Sequence, residues 1–201
     1  MSNQAVDSVK PSNWNAPNII TAARIVATPF FLWLLLASGE SVAMRWGAAA
    51  FFVVAIASDA LDGYLARSRG LITDLGKLLD PIADKALTGA AFVGLAILGE
   101  LPWWIVILVL VREVGITIHR LMIVSDVVVA ADWMGKLKTV AQAVAITLAL
   151  TPLAQLAGTA GTVFTWVNIV TMTIAVLLTL ASGVDYIIAF VRGRGAATRH
   201  A

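Results

Sequence analysis

Residues 58–85 read SDALDGYLARSRGLITDLGKLLDPIADK. Four aspartates, Asp59, Asp62, Asp80 and Asp84, stand in this stretch, and on both sides the chain is apolar enough to cross a bilayer. A carboxylate at membrane depth is costly and is kept where it faces protein or water and finds a partner. Asp59 and Asp62 are three apart and share one face of a helix, with Gly63 and Ala66 continuing the stripe and Arg67 four after Gly63. Gly76, Asp80 and Asp84 follow at four-residue steps on a second helix. The connector, with Arg69, Gly70, Thr73 and Asp74, is short and polar. The two helices are therefore expected to be antiparallel neighbours whose ends bring the four carboxylates together.

Four carboxylates at close range repel, so either some are protonated or cations neutralise them. Oxygen donors with no His or Cys nearby suit hard cations such as Mg²⁺, Mn²⁺ or Ca²⁺. Two such ions about 3.5–4 Å apart form a clamp for displacement at phosphorus. Gly63 and Ala66 leave room on the same face for a bulky ligand, and Arg67 is placed to meet a phosphate on it. Taken singly, an Asp near a helix end is most simply interfacial, Pro81 a first-turn or kink residue, and Lys77 and Lys85 snorkelling or balancing charges.

The rest of the chain agrees with a membrane setting. It has 201 residues, 60% hydrophobic and 13% charged, about half the charged share of an ordinary soluble domain. It contains no cysteine, which excludes disulfide frameworks and thiolate metal sites. The expected fold is all-α and polytopic, with six transmembrane helices at about 18–38, 43–66, 77–98, 103–124, 137–157 and 163–191. Residues 1–17 are polar, contain Pro11 and Pro17, and lack signal-peptide features. They are expected to form a cytoplasmic arm, and 18–201 the membrane domain. Lys10, Arg67, Arg69, Lys77, Arg120, Lys136, Lys138, Arg192, Arg194 and Arg199 fall at one end of the helices, and Arg45 with Glu40 and Glu100 at the other. That asymmetry puts both termini and the aspartates in the cytoplasm, with Trp103 and Trp104 as outer anchors. Asn18 is expected to cap the first helix.

The arrangement D-x-x-D-G-x-x-A-R, eight residues, then G-x-x-x-D-x-x-x-D is carried by Asp59, Asp62, Gly63, Ala66, Arg67, Gly76, Asp80 and Asp84. It resembles the signature of the CDP-alcohol phosphotransferases. PNIITAARI at 17–25 looks like that family's approach to its first membrane helix. LLDPIADK (78–85), REVGITIHR (112–120) and GKLKTVAQ (135–142) are similar to the phosphatidylglycerophosphate synthases within it. The resemblance implies six transmembrane helices, a homodimer, and a cytoplasmic-side cavity open to lipid in a bacterial inner membrane. It implies two divalent cations, Mg²⁺ or Mn²⁺, with Asp59, Asp62 and Asp80 as ligands and Asp84 as general base and second-metal ligand. CDP-diacylglycerol is the implied donor, on Asp59, Asp62, Gly63, Ala66, Arg67 and Gly76. Glycerol 3-phosphate is the implied acceptor.

A small dianion needs fixed positive charge. Arg112 lies inside the apolar run WWIVILVLVREVGITIHRL, where an Arg normally faces the interior or a wet cavity. With Arg120 two turns on and Lys136 or Lys138 on the next helix, it is expected to hold the acceptor phosphate. Its neighbour Glu113 is expected to point elsewhere. Thr21 and Arg24 are expected to face the cavity, and Gly76 to permit close approach or make a connector turn. His119 and His200 show no metal pattern, and no nucleic-acid partner is expected. Inositol phosphate, phosphatidylglycerol (giving cardiolipin) or serine would use the same aspartates. The rival class is a cation or proton transporter, which accounts for the carboxylates but not for Gly63, Ala66 and Arg67 beside them.

Overall fold

Short polar side chains set where the helices begin. The computed structural model describes residues 12–122 and 133–197, and among these residues there is no strand. Helix α1 runs Ala16–Leu36, α2 Val42–Ser68, α3 Asp74–Ile97, α4 Trp103–Met122, α5 Trp133–Leu150 and α6 Gly158–Ala197. Single 3₁₀ turns, Ala37–Glu40 and Pro152–Gln155, follow α1 and α5. The cap of α1 is Asn15, whose Oδ1 accepts from Asn18 N at 3.0 Å. Asn18 is therefore not the cap. Pro17 needs no amide partner in the first turn, so the helix starts earlier than expected. Asn18 instead turns its side-chain amide to Thr73 Oγ1 and Asn13 O, both at 2.8 Å. Ser41 and Thr73 cap α2 and α3 in the same way.

Five residues, 69–73, join α2 to α3. Gly70 has φ +63°, and Leu71 N donates to Ala66 O at 2.9 Å. This left-handed closure ends α2 and reverses the chain. Asn15 Nδ2 donates to Leu71 O at 3.0 Å, so the start of α1 is tied to that reversal. Pro81 sits inside α3, not in its first turn.

Large apolar side chains point outward along every helix, among them Val26, Val54, Ile107, Val111, Val163, Leu177 and Val184. Buried polar groups include Thr21, Arg24, Asp62, Glu113, Lys138 and Gln142. Apolar outside and polar inside is the arrangement that a hydrocarbon solvent favours. Between these layers, Phe31, Leu35, Phe52, Phe92, Leu95, Val106, Val109, Ile146 and Leu150 form the core. Small residues allow close helix approach, as at Ala48, Ala91 and Ala145, each fully buried.

Among the described residues, four stretches are long and apolar enough to cross a membrane: Ala16–Gly39, Val42–Ser68, Trp133–Gln155 and Gly158–Val191. The chain is therefore multi-pass by composition. Helices α3 and α4 are long enough but carry Asp80, Asp84 and Lys85, and Arg112, Glu113 and Arg120, within their apolar runs.

At the end remote from the aspartates, Arg45 is buried and holds three elements together. Its guanidinium donates to Leu150 O at 2.9 Å, Ala149 O at 2.6 Å and Glu100 Oε1 at 2.8 Å, and also pairs with Glu100 Oε2. It thus caps the last carbonyls of α5 and ties them to the α3–α4 turn. Arg45→Ala would strand those acceptors, and is expected to cost about 2–4 kcal/mol of unfolding free energy in detergent micelles. Unchanged denaturant midpoints would show that this junction adds nothing to the fold.

Candidate active site

The last turns of α2 and the first turns of α3 face each other across a cavity near the α2–α3 reversal. Asp62, Gly63, Ala66, Arg67, Gly76 and Asp80 line it, together with Asn18 and Thr73. Six of the signature residues thus share one cavity. The two glycines have separate reasons to lack a side chain. A Cβ on Gly63 would stand 3.2 Å from Arg67 Nη1, so the guanidinium folds back over Gly63. A Cβ on Gly76 would stand 2.6 Å from Asn18 Oδ1. Gly76 belongs to α3 and permits the approach of α1; it does not make the connector turn.

Arg24 and Thr21 reach this cluster from α1. Arg24 Nη2 donates to Asp62 Oδ2 at 2.5 Å, and Nη1 pairs with Asp59 Oδ1. Thr21 Oγ1 lies 3.2 Å from Asp62 Oδ2 and 3.0 Å from Asp80 Oδ1, within hydrogen-bond distance of both. Arg24 and Asp62 are almost fully buried, whereas the Asp59 side chain is 45% exposed. Asp84 lies apart from the other three, with its Oδ2 accepting from Lys85 Nζ at 2.6 Å. Asp59, Asp84 and Arg24 line a second, smaller cavity with Thr88, Thr139 and Gln142.

Arg24 and Thr21 therefore link Asp59, Asp62 and Asp80 into one chain of contacts, whereas Asp84 turns to Lys85 and lines the small cavity with Asp59. Among the described residues no three acidic or histidine side chains close on one metal position. The donors nevertheless fit hard cations in kind. All are oxygens, and Asp59 and Asp62 already turn to one shared cation, the Arg24 guanidinium. Arg24 Nε is buried without a hydrogen-bond partner, so the guanidinium does not complete its own set of five donors there.

Lys85, Arg112, Glu113, Lys136, Lys138 and Thr139 line a third cavity, of about 450 Å³. It lies between α3, α4 and α5 and adjoins the Asp59–Asp84 cavity, since Thr139 lines both. Three of the basic residues expected to meet an acceptor, Arg112, Lys136 and Lys138, are brought together here. The side chain of Arg120 lies outside the described residues, as does His200. Glu113 faces the same cavity and does not point elsewhere: it accepts from Lys138 Nζ at 2.6 Å and pairs with Arg112 at 2.9 Å and Lys85 at 2.9 Å. Of its two expected roles, Lys85 therefore balances charge and does not snorkel. Arg112 also donates to Ser182 Oγ at 2.8 Å and packs on Gly183, where a Cβ would meet Nε at 3.3 Å. Lys85, read from the sequence only as a snorkelling or charge-balancing residue, and Ser182 and Gly183, not singled out by the sequence, belong to this cluster. A positive charge deep in α3 was the available signal for Lys85; for the two α6 residues there was none. His119 Nδ1 sits 2.7 Å from Tyr186 Oη, pinning α4 to α6 away from the carboxylates.

The family model described as CDP-alcohol phosphatidyltransferase matches residues 14–187. The chain belongs to the CDP-alcohol phosphatidyltransferase family. It is 44% identical over 182 residues to "Probable phosphatidylglycerophosphate synthase" of Mycobacterium tuberculosis (strain ATCC 25618 / H37Rv), covering 90% of this chain and 84% of the relative. It is 40% identical over 148 residues to the CDP-diacylglycerol–glycerol-3-phosphate 3-phosphatidyltransferase of Bacillus subtilis (strain 168), covering 68% of this chain and 77% of that one. A Rickettsia typhi (strain ATCC VR-144 / Wilmington) protein of the same description is 33% identical over 176 residues, covering 86% and 94%.

The Arg24 contacts are testable without substrate. In this family member, Arg24→Gln in EDTA leaves Asp59 and buried Asp62 without their counter-charge, and is expected to cost about 3 kcal/mol of stability. Arg24→Gln with Asp62→Asn should recover part of that loss in a double-mutant cycle of thermal unfolding. Additive losses would show that the two side chains do not interact.

Proposed function

We propose that this chain transfers the phosphatidyl group from CDP-diacylglycerol to glycerol 3-phosphate, giving phosphatidylglycerophosphate and CMP in phospholipid synthesis. One observation carries the site-level reading. The small cavity that holds Asp59 and Asp84 is linked on one side to the signature-lined cavity by Arg24, which pairs with both Asp59 and Asp62, and on the other to the basic cavity by Thr139, which lines both. The relatives named for this reaction support the choice of donor and acceptor.

In this reading the cytidine lies against Gly63 and Ala66, where the absence of side chains leaves room, and Arg67 meets a phosphate of the same nucleotide. Asp59, Asp62, Asp80 and Asp84 would hold two divalent cations, Mg²⁺ or Mn²⁺, whose charge neutralises the pyrophosphate and stabilises the leaving nucleotide. Arg112, Lys136 and Lys138, with Arg120, hold the acceptor phosphate. Asp84 takes the proton of the acceptor's 1-hydroxyl. That oxygen forms its bond to the β-phosphorus in line with the bond to CMP, which breaks. Asp84 borders the small cavity, and its neighbour Lys85 borders the basic one, so the base stands where the two substrates would meet.

The placement in the cell follows from charge. Helices α3 and α4 would complete six spans, because Lys85 of α3 pairs with Glu113 of α4 and Arg112 pairs with the same carboxylate, which answers their charges inside the protein. The excess of Lys and Arg at the aspartate end points that end and both termini to the cytoplasm of a bacterial inner membrane. Of the proposed arm, residues 12–15 precede α1, Ala16 and Pro17 already belong to that helix, and 1–11 lie outside the described residues. The family resemblance supports a homodimer.

Two measurements test this. Purified protein given labelled CDP-diacylglycerol and a panel of acceptors should release CMP with glycerol 3-phosphate, not with inositol phosphate, phosphatidylglycerol or serine, and EDTA should stop it. Release with another acceptor alone would move the protein to a different branch of the family. Asp84→Asn should keep CDP-diacylglycerol binding while turnover falls about 100-fold or more. Wild-type turnover in that variant would remove Asp84 as the base.

A further inference from the structure

Glu113 has the wrong sign for its surroundings. Among the described residues it is the one acidic side chain lining the basic cavity, it is 5% exposed, and a phosphate arriving there would meet a carboxylate. It is also the point on which Lys85, Arg112 and Lys138, three of the cavity's four cations, converge. Oε1 accepts from Lys138 Nζ at 2.6 Å and Arg112 Nη1 at 2.9 Å, and Oε2 faces Lys85 Nζ at 2.9 Å. Those cations come from α5, α4 and α3 respectively. Lys85 Nζ also reaches Asp84 Oδ2 at 2.6 Å, so one ammonium bridges Glu113 and the proposed base.

Lysine side chains are long and flexible, and like charges packed together move apart unless something holds them. A single buried carboxylate can hold three, because it has four lone-pair sites on two oxygens. It also cancels only one of their three charges, so the cavity keeps a surplus for an incoming dianion. We propose that Glu113 is a positioning residue for the acceptor. It gathers Lys85, Arg112 and Lys138 into a preformed donor set for a phosphomonoester dianion, and it steadies through Lys85 the side chain of Asp84 next to that dianion's hydroxyl. The proposal rests on reading the basic cavity as the acceptor site. Preorganisation of this kind acts on affinity, because the cost of ordering the donors is met before the ligand arrives.

The experiment measures KM for glycerol 3-phosphate and for CDP-diacylglycerol separately in Glu113→Gln, Glu113→Asp, Lys85→Met and Arg112→Ala, with thermal unfolding of each. Glu113→Gln should raise the acceptor KM about tenfold or more and leave the donor KM within about twofold. Glu113→Asp, which keeps the charge, should recover part of the loss. Lys85→Met, which removes one arm, should move the acceptor KM in the same direction as Glu113→Gln, and it carries the test if Glu113→Gln does not fold. A carboxylate that only braces the helices would instead lower the unfolding temperature and kcat with both KM values unchanged, and that result overturns the proposal. Arg112→Ala separates the two readings. If it raises the acceptor KM while Glu113→Gln and Lys85→Met do not, Glu113 alone is misassigned. If Arg112→Ala leaves the acceptor KM unchanged, the cavity is not the acceptor site and the proposal falls with it.

Discussion

Charge kept inside an apolar shell must be answered by charge, and the site is arranged around that requirement. Asp62 is nearly inaccessible to solvent and is held by Arg24 from the neighbouring helix. Glu113 is equally buried and is held by three cations. A buried ion pair adds little net stability over an apolar replacement, but loss of one partner is severe. Such pairs therefore specify which helix faces which. Arg24 sets α1 against α2, and Glu113 sets α3, α4 and α5 against one another.

The two clusters differ in the sign of their surplus. In the small cavity Asp59 and Asp84 outnumber Arg24, which suits a site that gathers cations and the pyrophosphate they accompany. Around Glu113, base exceeds acid, which suits a bare phosphate. A phosphoryl-transfer enzyme has to bring two anionic substrates together against their mutual repulsion. Opposite surpluses in adjoining cavities, with Asp84 and Lys85 as consecutive residues at the boundary, meet that requirement with fixed groups.

Much of this was legible in the sequence because it rests on local spacing. Three- and four-residue steps put Asp62, Gly63, Ala66 and Arg67 on one face and Gly76 and Asp80 on another, and the short connector makes those faces meet. Arg112 was legible because an arginine in an apolar run has few places to go. What could not be read depends on contacts far along the chain. Arg24 meets Asp59 and Asp62 across more than thirty residues, and Arg112 meets Ser182 across seventy. Glu113 was misjudged because neighbours on a helix normally diverge by about 100°; the attraction of Lys85 and Lys138 draws its carboxylate to the same cavity as Arg112. Asn18 was misjudged because Asn15, three residues earlier, can also cap, and only Thr73 across the α1–α3 contact decides between them.

The five-residue reversal at Gly70 does more than join two helices. Its non-helical residues are closed at one end on Ala66 O and at the other by the Thr73 cap, so it holds the last turn of α2 beside the first turn of α3. A helix turns by about 100° per residue, so a residue gained or lost within the first turns of α3 would swing Asp80 and Asp84 more than a quarter-turn away from α2, although every side chain in the signature stayed the same. Where the two helices stop and start is thus a gauge, and it matters as much as the identity of the acids they carry.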